Sequence, residues 1–236
     1  DEHGEALGEV SFTWGPEGLT EADAQLLGPL DQLRSARVLE VGAGSAPCAR
    51  WLKTQGVDVV ASDISPSMLT AAHEANARHG IELELIEADA RSLPFGDSSF
   101  DVIFTSYGVI PFVADADAVH REMARVLRPG GRWVFSTTHP VRWASPDDPG
   151  PEGLVPTRGY FDTAPYRELD DRGDVIYAEY HRTLAEHVGG LLSAGFQLTR
   201  LVEPQWQDGR ETWGGWSELR AKALPGTVIL AGQLPS

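Results

Sequence analysis

The sequence predicts an α/β fold, a mainly parallel sheet with helices on both faces. Three observations predict it. From Arg37 to Thr137 short apolar strands alternate with helical stretches, the pattern of right-handed βαβ units. The first strand runs straight into a glycine turn, Gly42-Ala43-Gly44. The second ends on an acid, Asp63.

In order along the chain, Thr20 caps a predicted amphipathic helix carrying Leu26, Leu27, Leu30 and Leu33. Residues 37–41 (RVLEV) read as a strand, 46–55 as a helix stopped by Gly56, and 58–61 as a strand. Ser65-Pro66 opens a helix that Gly80 ends after His79, with Ser as cap and Pro at the first position. Strands follow at 82–86 and 100–105, a helix at 115–127 and a fifth strand at 132–137. Residues 140–165 hold six prolines and read as loop. Beyond them, residues 160–169 and 175–180 form a candidate hairpin. A helix at 183–193, a strand at 196–202, a tryptophan-containing connection at 203–226 and a strand at 227–231 complete the chain. This is one domain over 1–236, with residues 1–34 as an N-terminal cap and 140–181 as an insertion on the substrate side.

Composition narrows the partners. With 19 basic and 35 acidic residues the formal charge is −16, a field that disfavours phosphate backbones and anionic lipid. No apolar run approaches the roughly 20 residues of a membrane span, and no charged-then-apolar leader opens the chain. One cysteine, Cys48, excludes an internal disulfide, and no histidine spacing fits a metal site. The expectations are a cytoplasmic protein, no nucleic acid, no membrane and no metal; the oligomeric state is not legible.

The glycine turn lets the backbone approach a ligand closely, at a helix N-terminus offering free N–H groups. Asp63 lies 21 positions after Gly42, at the strand end beside the turn, where a carboxylate accepts hydrogen bonds from ribose hydroxyls. Asp89, after the third strand, can accept from an exocyclic amine.

The runs VLEVGAGSAPCARWL (38–52), ASDIS (61–65), ADARSLPF (88–95) and SFDVIFTSYGVIPFVAD (99–115), followed by HREMARVLRPGGRWVFSTTHP (120–140), resemble the class I S-adenosylmethionine-dependent methyltransferases. The resemblance implies a Rossmann-like, doubly wound sheet of seven strands whose last strand runs antiparallel beside the sixth. It also implies S-adenosylmethionine as cofactor and S-adenosylhomocysteine as product. Carried onto this chain, Glu40, Gly42, Ala43 and Gly44 face the methionine and ribose. Asp63 binds the ribose diol, Ile64 covers adenine, Asp89 and Ala90 face its amine, and Ser106 and Tyr107 lie near the methionyl group. Where many relatives have a third glycine this chain has Ala46.

Rival readings are a nicotinamide-dependent oxidoreductase and a non-catalytic nucleotide-binding module. The short-chain dehydrogenase mechanism needs Lys four positions after Tyr. Here those positions hold Pro111, Ala164, Asp170, His181 and Leu184. The favoured function is methyl transfer to a small-molecule acceptor by in-line displacement, where the protein supplies alignment. Tyr107 and His139 end the fourth and fifth strands and are the catalytic candidates, His139 as general base. His181 and His187 read as capping or surface residues. Trp14, Trp143, Trp206, Trp213 and Trp216 lie in segments able to wall the acceptor pocket, and residues 203–226 form a candidate lid.

Overall fold

A computed structural model describes residues 8–236; the start of the predicted N-terminal cap, 1–7, lies outside the described residues. The elements, in chain order, are α1 (Glu21–Ala24), α2 (Leu30–Leu33), β1 (Arg37–Val41), α3 (Pro47–Thr54), β2 (Asp58–Asp63), α4 (Pro66–His79) and β3 (Glu84–Glu87). They continue with β4 (Phe100–Ser106), α5 (Ala116–Val126), β5 (Leu127–Thr138), β6 (Tyr166–Leu169), β7 (Val175–Glu179), α6 (Leu184–Ser193), β8 (Gln197–Val202), α7 (Glu218–Ala221) and β9 (Thr227–Gln233). Seven strands form one sheet in the order β3-β2-β1-β4-β5-β9-β8. The first five pair in parallel, and β9 lies antiparallel between β5 and β8. The remaining two strands, β6 and β7, pair as a separate hairpin.

Local chemistry sets the boundaries. The Ser65 hydroxyl accepts from the Met68 amide at the start of α4, and Gly80 ends that helix in the left-handed region at φ +62°. Two apolar layers sandwich the sheet. One contains Phe12, Trp14, Leu27, Leu52 and Phe104; the other joins Ile103, Met123, Trp133, Phe135 and Leu191 under α5 and α6.

The expected single helix from Thr20 to Leu33 is instead two short turns. Gln25 takes a left-handed φ of 47°, and Gly28-Pro29 follows. The buried Glu21 carboxylate accepts from the Leu26 and Leu27 amides at 3.0 and 2.8 Å, and from the Trp14 indole at 2.9 Å. Amides that a longer helix would pair internally are satisfied by this side chain. Among the described residues no helix is long and apolar enough to cross a membrane.

Candidate cofactor and acceptor cleft

The site grows from the end of β1. Gly42 and Gly44 adopt φ of +65° and +56°, a region open to glycine at no steric cost. A Cβ on Gly42 would stand 3.2 Å from the Val109 amide nitrogen, so the loop after β4 lies directly on the turn. Ala46 occupies the third-glycine position with φ +59°.

Beside the turn opens a cleft of about 90 Å³. Glu40, Ala43, Pro47 and Cys48 form its floor, and Ser106 and Tyr107 form one wall. Ser11, Thr13, Gly15 and Pro16 of the N-terminal segment, together with Trp213, close it. The Ser106 hydroxyl donates to the Thr13 carbonyl at 2.8 Å, fastening that segment. Glu40 is only 3% exposed, and its Oε2 accepts from the Ala49 amide at 2.8 Å. Burial raises its pKa to about 8, with the Asp63 charge adding to the effect. The neighbouring Arg50 donates from Nε to Glu9 O and from Nη1 to Ala72 O and Asn76 Oδ1, and its charge acts on Glu40 without a hydrogen bond among the described residues. Among the described residues no cation is hydrogen-bonded to this acid, and a buried acid on the cleft floor fits a ligand that brings positive charge.

Sequence-predicted residues divide into three groups. Glu40, Ala43, Ser106, Tyr107 and Trp213 are brought together around the cleft. Asp63, Ile64, Asp89 and Ala90 stand at the ends of β2 and β3, outside its lining. There the Asp63 carboxylate accepts from the Gly44 and Ser65 amides at 2.7 and 2.8 Å. Ile64 is 63% exposed, an apolar surface beside the turn. Arg91 engages both oxygens of Asp89, at 2.6 to 3.2 Å, and these bonds hold the Asp89 carboxyl below its usual range. An amine reaching Asp89 would share that carboxylate with the guanidinium.

The third group is displaced from the cleft. His139 does not join Tyr107; it lines a second, smaller cavity with Trp143, His181, His187 and Arg182. Its Nδ1 accepts from the Val141 amide at 3.1 Å, so Nε2 carries the proton towards Glu203 Oε1 at 2.9 Å. With its lone pair occupied, His139 is not placed as the free base that was expected. His181 and His187 are buried rather than capping or surface residues. The His181 ring stacks on Trp143 with centroids 5.1 Å apart.

Trp14 is a core residue instead of a pocket wall, fully buried, tilted against Phe12 and edge-on to Phe104. The segment carrying it does cover the cleft, but through the residues that alternate with its rings. Trp216 is likewise fully buried, between the Arg142 and Arg220 guanidiniums at 4.6 and 4.8 Å from its ring. Trp206 lines neither cavity. Only Trp213 of the 203–226 connection reaches the cleft, edge-on to Tyr107 with centroids 5.7 Å apart.

Two residues beside the cleft carried no sequence signal. Glu17 and Thr227 are both fully buried, and the Thr227 hydroxyl donates to Glu17 Oε2 at 2.6 Å. Their separation along the chain, 210 positions, hides the pair from any motif.

A doubly wound sheet with a glycine turn after β1, an acid ending β2 and an enclosed cleft against β4 defines the class of protein: a nucleotide-type cofactor fold of the methyltransferase kind. Comparison with known proteins agrees. A profile described as a methyltransferase domain matches residues 39–135. A demethylmenaquinone methyltransferase of Thermus thermophilus is 31% identical over 168 residues, 70% of this chain and 64% of that protein. A biotin biosynthesis bifunctional protein of Cellvibrio japonicus is 38% identical over 139 residues, 58% of this chain and 27% of the relative. The chain thus spans less than two thirds of these relatives. An S-adenosylmethionine-dependent methyltransferase structure from Mesorhizobium loti is similar with a TM-score of 0.62 at 22% identity, covering 93% of this chain and 100% of that one. A 1,6-didemethyltoxoflavin-N1-methyltransferase of Burkholderia thailandensis, with 1,6-didemethyltoxoflavin and S-adenosylhomocysteine bound, has a TM-score of 0.55 at 17% identity, covering 91% and 80%. Residues 39–135 of the chain thus match a methyltransferase domain, and its fold is that of S-adenosylmethionine-dependent methyltransferase structures.

Proposed function

We propose that this protein transfers a methyl group from S-adenosylmethionine to a small-molecule acceptor. The observation that carries the reading is the enclosed cleft on the glycine turn, floored by the buried acid Glu40 and walled by Tyr107 and Trp213. Glu40 would face the cationic amino-acid part of the cofactor. Asp63 keeps lone pairs for the ribose diol beyond its two amide bonds, and Ile64 offers apolar surface to the adenine. The cofactor supplies an activated methyl group. The chain aligns the acceptor with it and excludes water, and such positioning is worth about 7–11 kcal/mol of barrier.

A cleft roofed by the N-terminal segment and Trp213 suits a small acceptor better than a polymer. The Burkholderia neighbour, which holds a small heterocycle beside S-adenosylhomocysteine, supports that choice, as does the acidic charge. The test is mass spectrometry of a panel of phenols, naphthoquinols, amines and carboxylic acids incubated with the protein and methyl-labelled S-adenosylmethionine. Label appearing in one acceptor class is expected. Binding of S-adenosylhomocysteine with no transfer to any small molecule, but transfer to added protein or RNA, would overturn the choice of acceptor.

A further inference from the structure

The Tyr107 hydroxyl lies 2.6 Å from Thr227 Oγ1, and Thr227 Oγ1 lies 2.6 Å from Glu17 Oε2. The direction of this chain follows from proton counting. An ionised carboxylate only accepts, and a threonine hydroxyl has one proton. With Glu17 ionised that proton goes to Glu17, so Tyr107 donates to Thr227 and every hydrogen points away from the cleft towards the buried acid.

Burial raises the pKa of Glu17 and makes it a stronger base, and the Thr227 hydroxyl bond and the Arg142 guanidinium oppose that rise in part. Among the described residues its second oxygen, Oε1, is buried without a hydrogen bond, as are Trp216 Nε1 and Arg142 Nη1. Leaving such atoms unpaired costs stability, and packing alone would be served as well by an apolar side chain at position 17.

The chain also abuts the cleft. Gly15, one of the lining residues, has no side chain to intervene. A Cβ there would stand 2.6 Å from Thr227 Oγ1, 2.9 Å from Glu17 Oε2 and 3.0 Å from Tyr107 Cε2.

We propose that Tyr107, Thr227 and Glu17 form a proton relay that removes the proton of a hydroxyl-bearing acceptor, with Glu17 as its terminal base. The inference rests on the methyltransferase reading and narrows the acceptor to molecules that lose a proton, phenols and enols foremost. As the acceptor oxygen forms its bond to the methyl carbon, the carbon–sulfur bond breaks with its electron pair left on sulfur. The acceptor's proton passes to Tyr107 oxygen, the Tyr107 proton to Thr227 oxygen, and the Thr227 proton to Glu17 Oε2. Tyr107 touches the acceptor; Thr227 and Glu17 act through it. His139, whose lone pair is taken by the Val141 amide, is not needed.

The test uses 4-nitrophenol, whose two protonation states absorb differently, with sinefungin, an analogue bearing an ammonium group where the sulfonium would be. At a pH well below the probe's own pKa, wild-type protein with sinefungin is expected to bind the probe as phenolate. Glu17→Gln and Thr227→Val, each checked for an unchanged melting temperature and sinefungin affinity, should raise the bound probe's apparent pKa by about one unit or more, tenfold in its ionisation constant. A role in packing alone would leave that spectrum unmoved. If sinefungin binds and the probe stays unbound or neutral in the wild type, or ionises equally in both variants, the relay is overturned while the functional reading stands. If sinefungin does not bind the wild type, the functional reading fails and the relay falls with it.

Discussion

The carboxylate of Asp63 accepts a hydrogen bond from the Gly44 amide at 2.7 Å, tying the end of β2 to the glycine turn after β1. The same side chain therefore shapes the turn and, in the proposed function, binds the ribose. Asp63→Ala should weaken S-adenosylhomocysteine by about 1.5–3 kcal/mol, the range for hydrogen bonds to a charged group, and should lower stability as well. Asp63→Asn keeps one acceptor oxygen and should lose less of both. Calorimetric titration and chemical denaturation of the two variants read the effects separately; unchanged affinity in both would remove Asp63 from the site.

Glu40 gives a pH dependence with a definite sign. Its pKa is raised to about 8 by burial, against an ordinary value of 4.5. Between those values the folded protein holds a proton that the unfolded chain has released, so stability falls as pH rises through that window. Burial raises Glu21, to about 7, and Glu17 in the same direction. Glu40→Gln should flatten part of the fall, visible in melting temperature against pH. A cation beside Glu40 draws its proton off, so S-adenosylhomocysteine should bind more tightly towards pH 8 and release protons on binding. Calorimetry in buffers of different ionisation enthalpy measures that release; none from the wild type would contradict the charge assigned to Glu40.

Two tryptophans of the 203–226 connection should behave oppositely. Trp216 is fully buried, and Trp216→Ala should cost about 3–5 kcal/mol of stability, as large-to-small core changes do. Trp213 is partly exposed against Tyr107. Trp213→Phe should change the melting temperature little but remove most of the fluorescence change on S-adenosylhomocysteine binding. A full fluorescence response in that variant would place Trp213 away from the ligand.

His139 should remain neutral with its proton on Nε2. Burial lowers its pKa, and Glu203 opposes this only in part. Nitrogen-15 spectra should show a single Nε2–H tautomer that does not charge at its ordinary pKa. A protonated ring at neutral pH, or the Nδ1–H tautomer, would contradict this geometry.

What the sequence revealed was chemistry that works over short distances. Ser65-Pro66 and Gly80 mark α4 to the residue because cap, first position and left-handed stop all act locally. The glycine turn, Asp63 and the end of β4 were legible because strand order puts consecutive strand ends side by side. The failures have one physical source, tertiary partners of a local pattern. Leu26, Leu27, Leu30 and Leu33 have helical spacing, yet Glu21 takes the amides that a continuous helix would use. Trp14 and Trp216 are aromatic in the expected segments, but they face the core. His139 ends the expected strand, yet Val141 and Glu203 hold both ring nitrogens. Glu17 and Thr227 meet only because β9 threads between β5 and β8.

The central claim is that the cleft on the glycine turn binds S-adenosylmethionine and its product. Isothermal titration with S-adenosylhomocysteine and, separately, NAD tests it most directly. The account predicts saturable one-to-one binding of S-adenosylhomocysteine, weakened about ten- to 150-fold in Asp63→Ala, and no measurable binding of NAD. Tighter binding of NAD, or folded protein that takes up no S-adenosylhomocysteine, would contradict it.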